Sequence, residues 1–130
     1  NLGDARYWAP GRRDQAAEAY RKALALGEET LKINSRDASL LGQLAGYYAM
    51  LGERQPAMSL LQRALDAAPQ DAGVRYKAAL VHNQFKDAER TLDWLKKAAE
   101  AGYSVTLIRD APNFDPLWAY PQFQSLLRDH

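Results

Sequence analysis

Residues 38–71 read ASLLGQLAGYYAMLGERQPAMSLLQRALDAAPQD. Leu41, Leu44, Ala45 and Tyr48 are spaced by three and four, so they share one face of a helix. Gly52 interrupts that pattern. Ala57, Leu61 and Ala64 then carry a second helical stripe, which Pro69 closes. The sizes give a packing rule. Small residues at 45, 57 and 64 let two helices approach, and large ones at 41, 44, 48 and 61 fill the space between neighbouring pairs. The flanks repeat the theme: Leu31, Asp37 and Ala38 recur as Leu65, Asp71 and Ala72, and Ala64 recurs as Ala98, each at a spacing of 34. A period of about 34 residues is the mark of stacked helix–turn–helix units.

Working forward, a third unit is legible but divergent. Its first helix is expected over Gly73–Gln84, with Val74, Ala78, Ala79 and Val81 or His82 on the packing face. Lys86 stands where the turn glycine would be. Asp87 reads as the N-cap of a helix over Ala88–Ala101, with Leu92, Leu95, Ala98 and Ala99 on one stripe and Gly102 as its stop. Thr91 replaces an alanine at the close-packing position.

Working backward, Gly11 and Gly52 are 41 apart, as are Tyr7 and Tyr48. The excess of seven is about two helical turns, which keeps the same face inward. One long helix is expected over Asp14–Ile33, with Asp14 in front of it and Ala16, Tyr20, Ala23, Leu24, Gly27 and Leu31 as its stripe. Gly27 marks either a bend or a close contact with the next pair. Asp37 and Asp71 precede the first helices of the second and third units as caps.

After Gly102 the period ends. Ser104 is placed to cap a short helix to about Arg109, and a loop over Asp110–Asn113 follows. Asp115-Pro116 reads as a cap and first-turn proline, and Pro121 opens a last helix. A stack must cover its last apolar face, and Trp118, Phe123 and Leu127 are the expected cover. The layout is therefore all-α: repeats over 1–103 (1–36 irregular with a long second helix, 37–70 regular, 71–103 divergent) and capping helices over 104–130.

Residues 38–71 closely resemble a tetratricopeptide repeat, with Leu41 in place of that family's tryptophan and Leu61 in place of its phenylalanine. The resemblance implies a right-handed α-solenoid of antiparallel helix pairs that binds protein segments in a concave groove. More loosely, the whole chain resembles the C-terminal repeat region of some bacterial serine/threonine protein kinases and related signalling regulators. The residues that carry this are Tyr7-Trp8-Ala9-Pro10-Gly11-Arg12, Ala19-Tyr20-Arg21-Lys22-Ala23-Leu24, Asp115-Pro116-Leu117, Pro121-Gln122-Phe123 and Leu126-Leu127. That resemblance implies an output domain ahead of Asn1, and a chain that starts without Met fits such a piece.

By the register of the resemblance, the groove would be lined by Ala5, Trp8 and Ala9, by Gly42, Gly46, Ala49 and Met50, and by Tyr76, Leu80 and Asn83. Glycines one turn apart expose backbone to a guest chain. The same glycines would also serve tight curvature of the stack or contact with a preceding helix. A clamp for a terminal carboxylate is not expected, since Lys77 and Asn83 alone do not build one.

Composition narrows the chemistry. Seventeen basic and 16 acidic residues give a net charge of +1, weak ground for nucleic-acid binding. With no cysteine, disulfides, thiolate catalysis and cysteine-ligated metals are excluded, and a reducing cytoplasm fits. No apolar run approaches membrane-spanning length. The two histidines, His82 and His130, lack metal-site spacing, and His82 reads as a structural, half-buried residue. Glu28 and Glu29 read as a solvated face, and Asp110 and Asp115 as capping residues. No kinase motif, nucleophile elbow or phosphate loop is present, so the fragment is expected to be a non-catalytic scaffold without metal or cofactor. Two alternatives stand beside that reading: a homodimer through Leu2, Tyr7 and Trp8, and a small-ligand pocket between Trp8 and Tyr76.

Overall fold

The computed structural model describes residues 13–129. Its elements are α1 (Arg13–Ile33), α2 (Ala38–Met50), α3 (Arg54–Ala67), α4 (Ala72–Gln84), α5 (Ala88–Glu100) and α6 (Val105–Asp110), then a 3₁₀ helix (Pro112–Ala119) and α7 (Pro121–Asp129). Helix makes up 83% of the described residues and no strand occurs among them, so the all-α expectation holds.

The starts of these helices follow from single residues. Asp37 accepts a hydrogen bond from the Leu40 amide, Asp71 from Val74 and Asp87 from Arg90, at 3.1, 3.0 and 3.1 Å. Ser104 Oγ accepts from Leu107 at 3.3 Å. Each such cap satisfies one orphan amide and contributes about 1 kcal/mol. Asp14 does not cap α1. The helix already includes Arg13, and Asp14 lies in its first turn, where a negative charge still suits the helix dipole.

The helix ends show the period in hydrogen bonds. At the turn after α2, Gly52 donates to Ala49 and Glu53 to Tyr48. After α4, Lys86 donates to Asn83 and Asp87 to His82, the same pair one period later. Gly52 and Lys86 both take a left-handed backbone, φ 76° and 61°, as such a turn requires. The links between pairs repeat as well: Asn34 donates to Thr30 and Asp37 to Asn34, then Ala68 to Ala64 and Asp71 to Ala68.

α2 packs chiefly on α3 and α4 chiefly on α5, while α2 and α4 also lie against each other and α1 lies on α2. Ala45, Ala57 and Ala64 are fully buried where the helices approach, and Leu41, Leu44 and Leu61 are buried beside them. Tyr48 is half-buried against that core, and its hydroxyl donates to Glu28 at 2.5 Å, so Glu28 is engaged although its face is exposed. α1 spans 21 described residues against 14 for α3. Its stripe of Ala16, Tyr20, Leu24, Gly27 and Leu31 is buried, and α1 runs unbroken through Gly27. A Cβ there would stand 2.5 Å from Leu44 Cδ2, so close contact, not a bend, explains this glycine. Thr91 is fully buried and spends its hydroxyl on the Asp87 carbonyl at 2.7 Å.

Arg75 ties the links together. Its guanidinium donates to the carbonyls of Pro69 and Lys97 and to Gln70 Oε1, joining the turn before α4 to the end of α5.

The tail differs from the expected layout. Pro112 opens the 3₁₀ helix, so 112–113 is not a loop. Asp115-Pro116 lies inside that helix, and neither Asp110, the last residue of α6, nor Asp115 caps one. Three residues per turn put Phe114 and Leu117 in one row, and both are buried. Trp118 falls in the next row and is 41% exposed, with its ring edge-on to Phe123 at 5.3 Å. Phe114, Leu117 and Ile108 therefore join the expected Phe123 as the cover, with Leu127 half-buried at its rim. Two apolar clusters result among the described residues, one within α1–α4 and one joining α4 and α5 to the tail. Trp94 packs against both.

Candidate functional site

Ala5 and Trp8 lie outside the described residues, as do Leu2 and Tyr7, so the sequence-based pocket and dimer contact at that end have no structural description. The other candidates separate into two groups.

Tyr76, Leu80 and Asn83 are engaged by the chain's own tail. The Tyr76 ring stacks on Tyr103, with centroids 4.1 Å apart and planes 8° apart, and meets Phe114 edge-on at 5.9 Å. Burial pushes the Tyr76 phenol up to about 12, with Tyr103 adding to the rise. Leu80 packs against the tail cluster, and Asn83 Nδ2 donates to the Asn113 carbonyl at 2.9 Å. These three, expected as groove residues, are half-buried and in contact with the tail. They seat the cap, which brings Phe114 and Phe123 into full burial.

On α2, Gly42 and Gly46 part company. Gly42 is buried, and a Cβ there would stand 2.8 Å from Lys77 Cδ, so a side chain from α4 covers what the sequence presented as bare backbone. Gly46 is half-buried, and among the described residues nothing lies within 4 Å of the position its Cβ would take. Met50, one turn on, is half-buried. Helical spacing puts Gln43 and Tyr47 on the same stripe. Gln43 Nε2 donates to the Tyr47 hydroxyl at 2.7 Å, and the Tyr47 ring meets Tyr20 at 5.5 Å. Sequence reasoning passed over Gln43 and Tyr47, although a glutamine four residues before a tyrosine is a recognisable helical pair. Among the described residues the stripe Gln43, Gly46, Tyr47 and Met50 thus presents one hydroxyl, one amide and a bare backbone, with all but Gln43 half-buried.

His82 is buried on α4, and its Nδ1 has no hydrogen-bond partner. Burial holds its pKa below the usual imidazole value. Asp87 opposes that shift, and Arg90 and Arg54 reinforce it. A neutral, inward imidazole fits the structural role expected. No group of three metal-ligating side chains occurs among the described residues.

Two clefts lie elsewhere on the described surface. One of about 420 Å³ runs between α1 and α3, floored by Leu31 and Leu60 with Lys32 and Arg63 at its side. The larger, about 910 Å³, separates α5 from α7, with Leu92 and Leu126 within and Tyr120 at one wall. Neither includes Gly46. Among the described residues no helix is long and apolar enough to cross a membrane. The chain matches no family model and no curated protein.

Proposed function

We propose that this chain is a non-catalytic interaction scaffold of the tetratricopeptide-repeat kind, a right-handed stack of helix pairs closed by its tail. It holds a peptide or helical segment of another protein along the α2 stripe, as the regulatory, cytoplasmic part of a larger bacterial signalling protein. The recurrence of helix-end hydrogen bonds at the sequence period supports the repeat reading.

Gly46 carries the binding proposal. Glycine inside a helix costs about 1 kcal/mol relative to alanine. Each other described glycine has an internal explanation. A Cβ would strike Leu44 at Gly27 and Lys77 at Gly42, the backbone is left-handed at Gly52 and Gly102, and Gly73 lies against the capping Asp71 carboxylate. Gly46 has no such reason among the described residues, so the space above it serves a body outside them. A close-packed backbone flanked by Tyr47 and Met50 suits an extended or helical guest better than a small molecule.

The test compares wild type with Gly46→Arg in quantitative capture of partners from source lysate, with thermal unfolding run in parallel. A partner lost in the variant at an equal or higher melting temperature supports the reading. A partner held equally by both proteins overturns it. A variant that melts lower and loses helical signal assigns the space to residues 1–12 of the chain itself.

A further inference from the structure

The α5/α7 cleft carries a proposal independent of Gly46. Four charged side chains of α5 border it. Two are answered within the chain: Arg90 pairs with Asp87 at 3.4 Å, and Asp93 with Lys97 at 3.1 Å. The other two, Glu89 and Lys96, are exposed and have no partner among the described residues. They lie seven residues apart on one stripe with Leu92 between them, about 10 Å along the axis. The floor beneath is apolar, formed by Leu92 and the buried Leu126.

This pattern is its own complement. When two copies of α5 lie antiparallel about a two-fold axis near Leu92, each Glu89 faces the other copy's Lys96, and the leucines meet at the axis. Each α5 then fills the valley between the other copy's α5 and α7, giving a four-helix arrangement. A guest of unrelated sequence would have to supply a base, an apolar residue and an acid at the same intervals. A second copy already has them.

We infer that the α5/α7 cleft is a homodimerisation surface, filled by α5 of a second copy with reciprocal Glu89–Lys96 pairs. Ten residues line the cleft, fewer than the roughly 20–30 a side of a stable interface, so the dimer is weak and concentration-dependent.

Sedimentation equilibrium of the full chain, from roughly 10 µM to 1 mM, tests it. Wild type is expected to shift from monomer to dimer across that range. Glu89→Lys and Lys96→Glu each turn two attractions into two repulsions and should weaken the dimer at least about tenfold. An equimolar mixture of the two variants should regain it, because every facing pair is again opposite in sign. So should the double variant. Lys22→Glu, a remote change of equal charge, should leave it intact. Wild type that stays monomeric throughout, a dimer indifferent to both reversals, or a mixture that fails to regain association would each overturn the proposal.

Discussion

Leu44 occupies the volume that a side chain at residue 27 would need, with its Cδ2 2.5 Å from where a Cβ would stand. Leu44 is itself buried, so it has nowhere to yield. Gly27→Ala should therefore cost about 1–3 kcal/mol in packing strain, reduced by about 1 kcal/mol of helix propensity. Gly46→Ala meets no atom of the described residues and should gain about 1 kcal/mol. Urea midpoints moving in opposite directions for the two variants is the expected result.

Lys86 holds a left-handed backbone in the turn between α4 and α5. A side chain there costs about 1–2 kcal/mol relative to glycine, partly balanced by the freedom a glycine would give the unfolded chain. Lys86→Gly should stabilise the protein by about 0.5–1 kcal/mol and raise its melting temperature. An unchanged or lower melting temperature would mean that the lysine has contacts worth more than the turn strain.

The tail is part of the core, not a detachable strap. Phe114→Ala should lose about 3–5 kcal/mol, since the ring is fully buried against Tyr76. Trp118→Ala should lose about 1 kcal/mol or less, because its ring is half in solvent. Chemical denaturation of both variants checks the order, and equal losses would contradict it.

His82 makes the fold acid-sensitive. Its imidazole is held below 6.5 in the folded state, so the unfolded chain takes up the proton first. Stability should fall as pH drops below 6.5 and level off once the folded imidazole is also charged. His82→Gln should flatten the dependence in denaturant midpoints measured from about pH 7.5 to 5.

At the other extreme, Tyr48 and Tyr76 are both pushed up to about 12, Tyr48 mainly by its hydrogen bond to Glu28 and Tyr76 mainly by burial. The stability they contribute is present below pH 10 and lost as pH rises from 10 through 12. Absorbance at about 295 nm should show late-ionising phenols, and Glu28→Gln should bring forward one of them, Tyr48.

The helices were legible because their causes are local. Asp37, Asp71, Asp87 and Ser104 act on amides three residues away, and a sequence displays that spacing directly. Even the odd turn at Lys86 was legible, since it stands one period after Gly52. What the sequence hid was lateral. That Lys77 lies over Gly42, and that Tyr103 stacks on Tyr76, depends on how separate helices lie across one another. The tail misled for another reason. Its eight-residue 3₁₀ helix shifts the inward row from Trp118 to Phe114 and Leu117.

Trp94 touches both apolar clusters, with Lys97 Nζ 4.6 Å above its ring. One indole at that seam turns the tail's attachment into something fluorescence can time. With Trp8 and Trp118 replaced by Phe, Trp94 emission and helical ellipticity trace the same curve if the clusters melt together. If the tail loosens first, the indole reports water entering from one side while most of the helix remains.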